Sequence, residues 1–333
     1  MANPDRADRR WLPVLICAGL LAAALVVTPM IGSASLDLYQ VWTGEPTQSA
    51  IFWMRVSRVL LAALAGGALA MAGTLFQALV RDSLADPYTL GISSGAALGA
   101  VLALCFRWQD YLGLPAVTAT AVAGSFLVLL IVLALASRGR RLSSFTLLLA
   151  GVTVNSMSIA AILFLHSVAD FSQSFAMMRW LMGGIEPPDV PVLAVVAAVV
   201  ITLAGFAISQ ARHWNLIAVG EQWTEARGVS AQRTLRIGFF VASLLTATVT
   251  SMTGPVGFLG WLVPHALRLR LGADHRVLLP CAFLGGAAFL PVCDTVARTI
   301  LSPAEIPVGA ITALTAGPFF LWLLGSRRRS LWL

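Results

Sequence analysis

Lysine is absent from this 333-residue chain: all 22 of its cationic residues are arginine. That absence excludes a phosphate-binding P-loop, whose lysine reaches the β- and γ-phosphates. If ATP drives the protein, another chain must hydrolyse it. Charge of either sign is scarce, at 11% of residues against about 25% in a soluble domain, so a water-facing surface cannot be made from this composition. The net charge of +7 does not gather into a basic patch, which excludes nucleic acid as a partner. Cysteine is nearly absent too. Cys17, Cys105, Cys281 and Cys293 stand singly in apolar runs with no C-x-x-C pair, which excludes a secreted-type disulfide framework. The four histidines, His166, His213, His265 and His275, show no metal-ligand spacing. No set of polar groups converges as an embedded enzyme would require.

What is there instead is apolar length. Hydrophobic residues make up 58% of the chain, and its mean hydropathy is +0.85. A bilayer core about 30 Å thick takes about 20 apolar residues at 1.5 Å each. The uncharged intervals Arg58–Arg81, Asp110–Arg138, Arg141–Asp170, Asp189–Arg212 and, after Asp274 and Arg276, Arg276–Asp294 each hold one helix. The run Trp11–Ile31 adds a first span, and Ser93–Phe106 and Ile306–Gly325 add shorter ones. The stretch Ile237–Leu267 is broken at Gly254-Pro255 into a full span and a short one. The expectation is therefore an all-α polytopic membrane protein of about ten transmembrane helices in one permease domain, residues 1–333. Arg55, Arg58, Arg107, Arg179 and Arg298 fall on one side of that arrangement and all other arginines on the opposite side. The positive-inside rule makes the latter side, with both termini, cytoplasmic. Residues 1–10 and 326–333 are then cytoplasmic tails, and 210–236 is the longest cytoplasmic loop.

A proton-coupled secondary transporter needs ionisable groups near mid-membrane. The one candidate, Asp294, precedes Arg298 by four residues, the spacing of a helical ion pair. Short third and eighth spans beside Asp86-Pro87 and Gly254-Pro255 have the look of inverted transporter repeats, though Gly and Pro are common in membrane helices anyway. In the cytoplasmic loop, apolar Leu216, Ile217, Val219 and Trp223 alternate with Glu221, Glu225 and Arg227, and Gly220 and Gly228 punctuate two short helical pieces. Such a segment either rests on the bilayer or docks a cytoplasmic partner.

Seven ordered blocks go further: RDSLADPYTLGISSGAALGA at 81–100, LLLAGVTVNS at 147–156, RWLMGG at 179–184, LIAVGEQWTEARGV at 216–229, GPVGFLGWLVPHALRL at 254–269, DHRVLLP at 274–280 and AEIPVGAITALTAGPFFLWLL at 304–324. On these the chain resembles the FecCD-type permeases, membrane subunits of ABC importers for ferric siderophores, haem and cobalamin. The resemblance implies the type II ABC importer fold, a second permease copy (a homodimer), two cytoplasmic ATP-binding subunits that hold ATP and Mg, and a periplasmic or lipid-anchored substrate-binding protein. It implies a bacterial inner-membrane location and no catalytic residue, metal or cofactor on this chain. Leu216, Val219, Gly220, Glu221, Ala226, Arg227 and Gly228 match the segment that couples to the ATPase. Arg55, Arg58 and Arg298 match arginines offered to acidic residues of the binding protein. Asp82, Ser83, Leu84, Ser143 and Ser144 match the cytoplasmic gate, although many members read Arg-Asn-Pro-Leu where this chain has Arg81-Asp82-Ser83-Leu84. The cargo ranking is ferric siderophore, then cobalamin, then haem, with an ATPase-independent secondary transporter or channel as the alternative.

Overall fold

A computed structural model describes residues 11–32, 36–108, 115–136 and 144–327. Every regular element among them is helical. In chain order they are α1 (Leu12–Val27), α2 (Leu38–Trp42), α3 (Pro46–Val80), α4 (Ile92–Cys105), α5 (Pro115–Ala136), α6 (Ser144–Val168), α7 (Phe171–Leu181), α8 (Val190–Ser209), α9 (Ala211–Val219), α10 (Glu221–Ala226), α11 (Ala231–Thr253), α12 (Leu259–Leu271), α13 (His275–Thr299) and α14 (Val308–Arg327), with a 3-10 turn at Thr28–Met30. Among the described residues, seven helices are long and apolar enough to cross a membrane, with Ile92–Cys105 and Val308–Leu323 as shorter apolar helices. The short α12 occupies the place expected for the eighth span. Gly254 at φ 65° ends α11 before it.

The central element is α3, nearly all buried from Leu61 to Val80. Its 35 residues extend about 52 Å at 1.5 Å per residue, well beyond a hydrocarbon core of about 30 Å. The expected span from Arg58 is thus only its inner two-thirds. Arg55 and Arg58 lie within the helix rather than in an outer loop. Small residues let α13 press against it: a Cβ on Gly66 would collide with the Gly286 carbonyl oxygen, and one on Gly286 with that of Gly66. Gly95 and Gly124 stand in the same reciprocal relation between α4 and α5. Close backbone approach is what membrane helices use where burial from water offers no driving force.

Two features fell outside the sequence expectation. The first is α7, which begins with a capping box in which the Asp170 carboxylate accepts from the Gln173 N–H and the Gln173 side chain accepts from the Asp170 N–H. The Gln173 amide donates to Cys105 O at 2.8 Å and Arg107 pairs with Asp170 at 2.7 Å, tying α7 to the end of α4. The Gln173 backbone N–H, then Arg107, holds the Asp170 carboxyl below the usual carboxylate range. The second concerns the half-length helices α4 and α12. Each starts after a left-handed residue, Gly91 at φ 85° and Phe258 at φ 67°, and the loops before them touch. Asp86 Oδ1 and Pro87 Cδ would stand 2.9 and 2.8 Å from a Cβ on Gly260. The Asp86 carboxylate accepts from the Tyr88 and Phe258 backbone N–H groups. The carboxylate thus links the loop before α4 to the N-terminal cap of α12, where the positive end of the helix dipole favours a negative charge.

Candidate coupling and gating site

The loop at 210–236, expected to be cytoplasmic, folds as its glycines dictate. Helix α9 stops at Gly220, whose φ of 150° few side chains adopt, and α10 is followed by Gly228 at φ 76°. Trp214 and Ile217 turn inward and are buried, while Val219 and Trp223 are 69% and 64% exposed. Of the expected coupling residues, Leu216 and Glu221 are half-buried, Gly220 is buried, and Val219, Ala226, Arg227 and Gly228 are exposed. Val219 and Trp223 thus form an exposed apolar pair on a helical knob, the kind of surface that meets a protein partner or the membrane.

The base of the knob is fastened on three sides. Trp214 Nε1 donates to Ala207 O of α8 at 2.8 Å. Asn215 Nδ2 donates to Asp274 Oδ1 at 2.8 Å, and Asn215 Oδ1 accepts from the His275 N–H at 2.8 Å. Asp274 also caps α13 through the Arg276 N–H. The third tie is at Glu221. Its Oε1 lies 3.4 Å from Arg81 Nη2 at the end of α3 and 3.4 Å from Ser144 Oγ at the start of α6. Ser144 donates to Leu79 O at 2.7 Å.

The structure therefore brings Glu221 of the expected coupling set into contact with Ser144 of the expected gate. Asp82 keeps the α3–α4 loop in shape by accepting from the Leu84 N–H at 2.9 Å. Ser83 is exposed. Leu84 lines a cavity of about 570 Å³ together with Asp86, Tyr88, Phe258 and Trp261. Ser143 lies outside the described residues. Arg81, Trp214 and Asn215 were missed by sequence reasoning. The inward face of Trp214 and Ile217, three residues apart, was the only local signal available for them.

At the opposite end of α3 the three expected docking arginines are turned into the protein. Arg58 forms a fork on Asp294, with Nε–Oδ2 at 3.0 Å and Nη2–Oδ1 at 2.9 Å, and a second fork on Glu305 at 3.2 and 3.0 Å. Arg298 is 6% exposed; it donates to Thr28 O at 2.7 Å, and its Nε lies 3.6 Å from Asp294. Arg55 is 8% exposed; its guanidinium packs on Gly32 and donates to Pro29 O at 3.5 Å. In this chain, then, Arg55 and Arg298 are buried and Arg58 is held by two carboxylates. Asp294 does pair with Arg298, but its stronger partner is Arg58, on a different helix.

Comparison with known proteins follows the same lines. The pattern of the FecCD transport family matches residues 20–326. The hemin transport system permease protein HmuU of Yersinia pestis is 37% identical over 320 residues, 93% of this chain and 95% of that protein. The cobalamin import system permease protein BtuC of Halobacterium salinarum is 38% identical over 285 residues, 85% of this chain and 75% of that protein. A solved structure described as the inward-facing conformation of a metal-chelate type ABC transporter superposes with a TM-score of 0.82 at 28% identity, covering 94% of this chain and 98% of that one.

Proposed function

This chain belongs to the FecCD transport family, and from that premise we propose that it forms the membrane passage of an ATP-driven importer of bulky metal chelates in the bacterial inner membrane. The chain is a permease subunit and not itself an enzyme. Two copies of a separate cytoplasmic subunit bind ATP and Mg and hydrolyse the ATP, and a second copy of this chain completes the passage. The observation that carries the reading is the coupling knob: an exposed Val219–Trp223 surface on a base anchored to α8, α13, α3 and α6. Such a base passes a push from a docked ATPase into the helix bundle instead of absorbing it in a slack loop.

Asp82, Ser83, Leu84, Ser143 and Ser144 form the inner gate in this reading. A substrate-binding protein delivers cargo to the outer face. Arg58 is the arginine suited to meet it, because its partner Glu305 is 55% exposed and exposed pairs exchange at small cost. The relatives include a hemin and a cobalamin permease, so these two cargoes stand beside ferric siderophore.

The test is uptake of labelled ferric siderophore, cobalamin and haem in cells with and without this gene, each also with ATP binding by the partner subunit disabled. Loss of one cargo in both backgrounds is the expected result and identifies it. Uptake that requires this chain but survives the disabled ATPase refutes the ABC reading in favour of a secondary transporter.

A further inference from the structure

Glu221 stands where three elements meet, and the hydroxyl beside it has two acceptors but one proton. Ser144 Oγ lies 2.7 Å from Leu79 O and 3.4 Å from Glu221 Oε1. A serine hydroxyl donates one hydrogen bond at a time. In this conformation the shorter contact holds it, and the proton sits on the α3 side.

That choice matters because Leu79 O is among the last four carbonyls of α3, which have no partner within the helix. Arg81 then leaves the helix at φ 59°, a left-handed cap made without glycine. A hydroxyl from α6 thus completes the end of α3 just before the loop that carries Asp82, Ser83 and Leu84. The Arg81–Glu221 pair, 42% and 25% exposed at 3.4 Å, contributes little, as surface pairs do. It is too weak to explain the fold and weak enough to be made and broken in every cycle.

We propose that Glu221 is the positioning residue that transmits coupling-loop movement to the inner gate, by taking the Ser144 proton from Leu79 O and by pulling on Arg81. This rests on the permease reading above and names the residues through which it operates. The two contacts, at 2.7 and 3.4 Å, differ by 0.7 Å, so a coupling-loop shift of somewhat more than that reverses which acceptor is nearer, and two discrete acceptors make the response switch-like rather than gradual. With the Ser144 hydroxyl donating to Glu221, the α3 terminus loses its cap and the loop at Asp82–Leu84 is released. With the hydroxyl donating to Leu79 O, the terminus is closed. The same carboxylate reads both sides of the gate, since Arg81 belongs to α3 and Ser144 to α6.

The experiment uses the whole importer, with its ATP-binding subunit and binding protein, in proteoliposomes, and reads cargo taken up per ATP hydrolysed. Arg81→Gln is expected to co-purify with the ATP-binding subunit as wild type does, yet to lose about fivefold or more in uptake per ATP, the lower end of couplings between distinct sites. Ser144→Ala should fall similarly, and Ser144→Thr, which keeps the hydroxyl, should stay near wild type. The exchange Arg81→Glu with Glu221→Arg restores the ion pair but removes the acceptor facing Ser144, and should not regain wild-type uptake per ATP. Unchanged uptake per ATP in Arg81→Gln, full recovery in the exchange, or loss of the ATP-binding subunit from Arg81→Gln would each overturn the proposal. Wild-type uptake that needs no ATP would overturn the permease reading instead, so the two failures are distinct.

Discussion

Arg58 and Asp294 form a largely buried ion pair between α3 and α13. Asp294 is 1% exposed and receives two bonds from Arg58, while Arg298 approaches it only at 3.6 Å. Deleting one member of a buried pair strands the other charge, at a typical cost of about 3–5 kcal/mol, whereas replacing both with apolar groups of similar size is often near neutral. Arg58→Met is therefore expected to lower the thermal unfolding temperature of the detergent-purified protein clearly, and Arg58→Met with Asp294→Leu to recover most of that loss. Glu305→Gln, at a 55% exposed side chain, should shift it by less than about 1 kcal/mol in equivalent stability. A double change as damaging as the single one would mean that the arginine is held for a reason other than the pair.

At the scale of elements, the crossing of α3 and α13 is set by two glycines that leave no room for a side chain. A Cβ at Gly66 or Gly286 meets the facing backbone carbonyl, and a backbone atom cannot rotate away as a side chain can. Gly66→Val should consequently abolish the monodisperse peak in size-exclusion chromatography. Gly205→Ala on α8, where nothing lies within 4 Å, should leave the peak intact. Most elements could be read from the sequence because an apolar run of spanning length has few other uses, and the two loop helices could be read from Gly220 and Gly228. The outer third of α3 could not, because Arg55 and Arg58 interrupt the apolar run while satisfying their charges on residues far along the chain. Helix α7 was hidden because its start is a polar capping box and only Met177 of its residues is buried. The Arg81–Glu221–Ser144 junction was hidden for the same reason as the outer cluster. Its members lie 140 and 77 residues apart, and spacing along one helix carries no trace of contacts between helices.

At the scale of the whole molecule, the exposed faces divide into two kinds. Helix α1 shows only apolar side chains outward, with Leu15, Ile16 and Leu20 at 55–66% exposure, which suits hydrocarbon. Helix α6 also exposes Phe145, Met157 and Leu163, but Thr153 and Ser156 are exposed on it as well, their hydroxyls donating to Leu149 O and Val152 O, and the buried Asn155 Oδ1 has no hydrogen-bond partner among the described residues. Polar groups on a spanning helix are costly toward lipid and ordinarily face a water-filled path or another protein surface. A face of this mixed kind fits a passage shared with a second copy of the chain, whereas α1 belongs at the lipid boundary. In a background with the four native cysteines replaced, Ser156→Cys should react with a charged, membrane-impermeant thiol reagent, and its labelling should change when ATP is added to the assembled importer. Ile16→Cys should stay unlabelled in both states. Equal protection of the two positions would place α6 against lipid and remove the passage from this face, while ATP-independent labelling at Ser156→Cys would leave a water-filled face that does not take part in the transport cycle.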